Sequence, residues 1–123
     1  MASGGGGFGA AQFAVANFGY DVGNWRVEST PRMVADITGD GKADIVGFGN
    51  DGVWTAVASS GGFFAASKYV LANFGYNQAW RVESHPRMVA DITGDDKADI
   101  VGFGDLGGYP GVALGDGGFK NFF

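Results

Sequence analysis

Cysteine is absent from the chain and histidine occurs once, at His85. The first absence excludes disulfides and thiolate nucleophiles, and it leaves the redox compartment open. Neither a G-x-S-x-G elbow nor a glycine-rich phosphate loop opening a helix is found. Glu28 and Glu83 could in principle serve as acid and base, yet nothing around them separates them from structural carboxylates. The chain is therefore expected not to be an enzyme. Cations are scarce as well. Eight Lys and Arg against thirteen Asp and Glu give a net charge of −5, which argues against nucleic-acid binding, where affinity needs clustered cations. An anionic membrane surface is disfavoured for the same reason. No apolar run approaches the roughly 18 residues of a membrane span, and the opening Met1-Ala2-Ser3-Gly4 lacks the core of a signal peptide. The expectation is a soluble protein without membrane insertion, its compartment unassigned. No stretch carries the 3.6-residue apolar stripe of an amphipathic helix, so helices should be few.

Glycine, by contrast, is abundant. Of 123 residues 24 are Gly and 3 are Pro, without a Gly-X-Y period, and 46 % of the chain is hydrophobic. That mixture implies short elements and tight turns around a modest core, in one small all-β domain. A repeat sets the architecture. Residues 25–49, WRVESTPRMVADITGDGKADIVGFG, recur as residues 80–104, WRVESHPRMVADITGDDKADIVGFG, differing only at Thr30/His85 and Gly41/Asp96. Trp25 returns as Trp80, a period of 55 residues, and Asn17-Phe18-Gly19-Tyr20 recurs as Asn73-Phe74-Gly75-Tyr76. Copies this alike imply recent duplication or deliberate engineering.

Each repeat divides into four strand-like runs. In the first, Met33 to Ile37 leads into an acidic loop and Ile45 to Phe48 leaves it. Asn50-Asp51-Gly52 supplies a hairpin turn, Val53 to Ala58 the third run and Lys68 to Ala72 the fourth. Four hairpin-linked strands describe one blade of a β-propeller, so the chain holds two four-stranded blades. It starts out of phase with them, because Phe8 to Ala16 matches the fourth run. Residues 8–17 then form an outer strand without a blade, 18–72 the first blade, and 73–123 a second blade lacking its outer strand, which Phe119 to Phe123 only begin. An unpaired strand beside an unfilled edge drives pairing. Propellers need at least about four blades to close, so closure by oligomerisation with strand exchange is expected, the 8–17 strand being donated to a neighbouring blade. A homo-oligomeric trimer with six blades is favoured, with a tetramer of eight as the alternative. On this reading the crossover at 19–31 builds its site only in the assembled ring.

The acidic loops suggest a metal. Asp36, Thr38, Asp40 and Asp44 stand at alternate or nearly alternate positions, with the Lys42 carbonyl between the last two; Asp91, Thr93, Asp95, Lys97 and Asp99 repeat the set. Calcium takes six to eight oxygens at roughly 2.3–2.6 Å, which a tight loop of this kind can supply. The competing reading is that Asp and Gly merely make turns and cap backbone amides. A nine-residue pattern held in both copies exceeds what a turn requires, so Ca2+ is the expected cofactor, with a structural role.

The block D-x-T-G-D-x-K-A-D-I-V-G-F resembles the calcium-binding FG-GAP repeat of integrin α-subunit propellers. The longer pattern, N-F-G-Y, then W-R-V-E-S-x-P-R-M-V-A-D-I-T-G-D, then G-F-G-N-D-G-V-W, more specifically resembles lectins of the Psathyrella velutina lectin type, over essentially the whole chain. The resemblance implies a propeller with calcium in the integrin-like loops and binding of glycans with N-acetylglucosamine, sometimes sialic acid, between adjacent blades. Two repeats stand where that family has seven, a number that two-blade chains cannot tile, so the wedge angles between blades must change.

Strand alternation places the acidic loops on one face and the crossovers with the second-to-third-strand turns on the other. The crossovers carry Tyr20, Asn24, Trp25, Arg26, Glu28 and Thr30 in one copy, and Tyr76, Trp80, Arg81, Glu83 and His85 in the other. The turns add Asn50, Asp51 and Trp54, then Asp105 and Tyr109. Aromatic walls and fixed polar groups are what sugar recognition wants. The tryptophans could equally wedge blades together, and Arg26 with Glu28, or Arg81 with Glu83, could form linking ion pairs. A calcium-stabilised structural or protein-binding propeller is thus the alternative to a lectin.

Overall fold

The computed structural model of the chain describes residues 13–121. Among these the regular structure is β, apart from two short 3-10 turns at Ser60–Gly62 and Tyr76–Gln78. Strands β1 (Arg32–Ala35), β2 (Asp44–Phe48), β3 (Val53–Ala56) and β4 (Lys68–Leu71) form one antiparallel sheet in chain order. A second sheet repeats it with β5 (Arg87–Ala90), β6 (Asp99–Gly104), β7 (Gly107–Ala113) and β8 (Phe119–Asn121). Two consecutive four-stranded meanders match a pair of propeller blades. No described helix is long and apolar enough to cross a membrane.

The sequence repeat carries the register with it. Met33 faces Val46 and Ala35 faces Asp44, just as Met88 faces Val101 and Ala90 faces Asp99. The apolar D-I-V-G-F run makes β2 an inner strand, with all but Ile45 buried. Gly52, at φ 144°, turns the chain from β2 to β3, and a Cβ there would collide with the Leu71 carbonyl. Run ends differ slightly from the expected ones: Ile37 lies beyond β1, and Ala58 joins its sheet only by a bridge to Phe64.

The second blade requires a correction, since it does have an outer strand, though a short one. Ala113 pairs with Phe119 and Gly111 with Asn121. This ladder is the counterpart of the Ala58–Phe64 bridge, one period earlier, and not of β4. In the first blade β4 continues along β3, with Tyr69 opposite Trp54 and Leu71 opposite Val53. The matching positions of β7, Tyr109 and Gly108, lie opposite Gly102 and Phe103 of β6. The expected donated strand at 8–17 lies partly outside the described residues; 13–17 adopt no regular strand.

The main core lies between the sheets. Val46, Phe48 and Val53 of the first meet Phe74, Trp80, Ile100, Ala113 and Phe119. Phe48 packs edge-on against Phe74 at 6.5 Å. Hydrogen bonds cross as well: the Ala98 amide donates to the Asp36 carbonyl at 2.7 Å and the Thr55 hydroxyl to the Gly117 carbonyl at 2.8 Å. A smaller cluster of Phe18, Trp25 and Ala56, with Val15 against it, lies on the first sheet.

Candidate functional site

Two equivalent clefts open on the crossover face, each held by the same scaffold. In the first, the Asn17 side-chain oxygen accepts from the Trp25 indole at 2.9 Å and from the Phe18 amide at 2.7 Å. The indole rests on Phe18, 5.1 Å between ring centres, and covers Gly47 so closely that a Cβ would lie 2.6 Å from it. Arg26 stacks 3.4 Å above the Tyr20 ring and donates to the carbonyls of Tyr20 and Trp25. The Thr30 hydroxyl accepts from the Arg26 amide at 2.6 Å and donates to the Arg26 carbonyl at 3.0 Å. Around this frame Asn24, Trp25, Thr30, Asn50, Asp51 and Trp54 line a cleft of about 360 Å³. Its floor is aromatic and its rim is amide and carboxylate.

The second copy keeps the frame and changes the rim. Asn73 holds the Trp80 indole at 3.3 Å, Trp80 rests on Phe74, and Arg81 stacks 3.6 Å above Tyr76. His85 takes Thr30's place through its ring: Nδ1 accepts from the Arg81 amide at 3.1 Å, which puts the proton on Nε2, 2.7 Å from Asp105. That bridge spans from the crossover to the β6–β7 turn. Trp80, His85, Asp105, Leu106 and Tyr109 line a cleft of about 570 Å³, with Tyr109 standing perpendicular to Trp80.

The expected residues divide into two groups. Asn24, Trp25, Asn50, Asp51 and Trp54 come together, as do Trp80, His85, Asp105 and Tyr109. Tyr20 with Arg26, and Tyr76 with Arg81, instead form braces behind the clefts. Glu28 and Glu83 line neither cleft, and the described ion pairs do not join them to Arg26 or Arg81. The tryptophans are nearly buried and also line the clefts. The first cleft is lined by this chain's own crossover and β2–β3 turn. A crossover forms its cleft with the turn of the blade it enters, not of the blade it leaves. Asn17 and Asn73 were missed, although the repeated Asn-Phe-Gly-Tyr marked them; a buried indole N–H needs an acceptor.

On the opposite face, the carboxylates of Asp36, Asp40 and Asp44 converge, with one oxygen from each lying within 4.8 Å of the others; Asp91, Asp95 and Asp99 do the same. Asp36 accepts from the amides of Thr38, Gly39, Asp40 and Gly41, and Lys42 reaches Asp40 at 3.8 Å. Buried Asp44 accepts from the Ile37 amide at 3.0 Å and the Ala58 amide at 2.7 Å, tying the loop to the end of β3. Burial raises the Asp36 carboxyl, but those four amides outweigh it and hold it below the ordinary value. Asp91 is lowered chiefly by the Asp96 amide, and Asp95 chiefly by the Lys97 amide and the Thr93 hydroxyl. Thr38 and Thr93 hydroxyls point to the Asp36 and Asp91 oxygens at 3.4 Å, and the Lys97 ammonium pairs with Asp95 at 3.6 Å. Asp96 adopts φ 67°, close to the 82° of its counterpart Gly41, a left-handed conformation that Asp tolerates better than most residues.

No protein-family model matches the chain, and no curated protein does. Among solved structures, it is similar to an Agrocybe aegerita lectin described as specifically recognising non-reducing terminal N-acetylglucosamine. The TM-score is 0.91 and the identity 44 %, over 94 % of this chain. The chain spans 29 % of that lectin's length.

Proposed function

We propose that the chain is a carbohydrate-binding module whose two clefts take N-acetylglucosamine-type residues, with sialic acid as a second N-acetylated ligand. The carrying observation is the duplicated cleft: an aromatic wall faces Asn50 and Asp51 in one copy and Asp105 in the other. Likeness to a lectin for terminal N-acetylglucosamine supports the same assignment. The indole and phenol faces suit the acetyl methyl or the sugar ring, and the amides and carboxylates suit hydroxyls. Single clefts of this openness bind weakly and gain by display around a ring. Ring closure comes from oligomerisation, with three copies giving six blades. In the loops opposite, the carboxylates of Asp36, Asp40 and Asp44, and of Asp91, Asp95 and Asp99, would hold Ca2+ together with the Lys42 and Lys97 carbonyls and the Thr38 and Thr93 hydroxyls. The converging hard oxygens fit such an ion, which would offset their mutual repulsion.

Isothermal titration with N-acetylglucosamine in calcium-containing buffer tests the assignment. Saturable heat is expected with this sugar and with its N-acetylated relatives, and not with galactose. No response to any N-acetylated sugar would leave the structural or protein-binding role and overturn the lectin reading.

A further inference from the structure

The two ends of the chain reproduce the two halves of its own internal junction. Where the first sheet meets the second, Phe48 and Ile37 are wholly buried, whereas their repeat equivalents Phe103 and Ile92 are 43 % and 50 % exposed. The reverse holds at the other end: Val89 packs into the main core, while Val34 is 63 % exposed. Glycines tell the same story. Gly52 and Gly107 share φ values of 144° and 145°. A Cβ on Gly52 would strike the Leu71 carbonyl, but one on Gly107 would meet open space. Likewise Gly75 is crowded by the backbone of the β2–β3 turn, 2.5 Å from the Gly52 nitrogen, whereas Gly19 would meet nothing nearer than its own Val22 backbone at 3.6 Å. Sequence cannot explain these contrasts, because the paired positions are identical. Position in the chain does.

We propose that residues 13–22 and β1 of a second copy dock against β5–β7 of the first, in the register of the internal junction. This rests on the ring closure proposed above and adds its interface. Today the Tyr76 and Asn77 amides donate to the carbonyls of Gly49 and Asn50, at 3.1 and 2.7 Å. In the new junction the Tyr20 and Asp21 amides of one copy donate to Gly104 and Asp105 of the other. Tyr69 stacks on Trp54 at 5.4 Å across paired strands; Phe13, an exposed aromatic, stands at Tyr69's repeat position and takes its place opposite Tyr109. One contact changes character. Asp51 accepts from the Asn77 amide group at 2.7 Å, but its equivalent is Leu106, 92 % exposed, which faces Asp21, the equivalent of Asn77. The joint between copies therefore lacks the amide–carboxylate bond found within a copy. Being head-to-tail, it closes into a ring when the rotation permits, and it places a partner's crossover beside the second cleft.

Three measurements in solution test the register. Sedimentation of the intact chain should give a multiple of 12.7 kDa. Gly19→Ala, harmless within its own chain, should reduce that to the single-chain mass while circular dichroism keeps the β signal. The chain has no cysteine of its own, so a Phe13→Cys, Tyr109→Cys double variant should oxidise to a covalent ladder ending at the ring, and neither single variant should. An intact chain that sediments at 12.7 kDa overturns ring and register together. An assembled protein that tolerates Gly19→Ala, or whose double variant forms no disulfide between copies, overturns the register and leaves the ring and the sugar assignment standing.

Discussion

Asp44 has two candidate employers, an ion and the protein's own backbone, and substituting Asn separates them. Both of its carboxylate oxygens already accept buried amides, from Ile37 at 3.0 Å and Ala58 at 2.7 Å. Asp44→Asn leaves one acceptor and turns an NH2 group toward the other amide. A lost charge-assisted bond costs about 1.5–3 kcal/mol and the stranded donors about 1–3 more. The expected loss is therefore about 3–5 kcal/mol, a large part of the roughly 5–15 kcal/mol that holds a small domain together. Urea unfolding followed by tryptophan fluorescence measures it, at fixed protein concentration because assembly shifts the midpoint. The decisive condition is excess chelator. Asp40, whose contacts are the adjacent Lys42 amide and ammonium, serves as the comparison: Asp40→Asn should weaken the protein in calcium and change little in chelator. Asp44→Asn should weaken it in both. If Asp44→Asn costs less than about 1 kcal/mol in chelator, the carboxylate acts through an ion alone and the backbone reasoning fails.

Three further outcomes follow from the same geometry. Gly47→Ala would press a methyl within 2.6 Å of the Trp25 indole and 2.9 Å of the Phe18 ring; a cost of about 1–3 kcal/mol or more is expected, read as a lower urea midpoint with a shifted emission maximum. Asp36, Asp91 and Asp95 are held below the ordinary carboxylate value of 3.8, so their contribution is complete above that value and lost as pH falls through the lowered ones. In chelator the midpoint should stay level from about pH 7 to 5 and decline below about pH 4; a decline between pH 7 and 5 would contradict this. His85→Thr copies the other repeat, keeps an acceptor for the Arg81 amide and gives up the bridge to the mostly exposed Asp105. Thermal unfolding should register less than about 1 kcal/mol, and a larger loss would mean that the bridge contributes more than an exposed ion pair does.

What could be read in advance was whatever repeats locally. The strand order, the acidic loops and the cleft tryptophans each sit in a pattern that names its own geometry, such as Asp at loop positions that bring Asp36, Asp40 and Asp44 together. The braces were not legible in this way. Arg26 lies two positions from Glu28 and invited an ion pair, yet its guanidinium stacks on Tyr20, which the crossover folds back beneath it. Spacing cannot report that, because the return is set by left-handed residues at Phe18, Gly23 and Asn24. The Asn17 clamp was hidden for a related reason: an indole's acceptor is chosen by the fold of the chain around it, eight residues away.

The two clefts differ for reasons that reach beyond their lining. His85 is bulkier than Thr30, yet the cleft it lines is the larger, about 570 against 360 Å³. The first cleft has the Tyr76–Gln78 crossover docked on its turn, with Asn77 holding Asp51 in place. The second has Leu106 at that position, reaching into solvent. Its rim is left to the His85–Asp105 bridge, a contact that the first copy does not need because its turn is fixed from the other side. The histidine's bridge to the turn thus does locally what the Tyr76–Gln78 crossover does for the first blade.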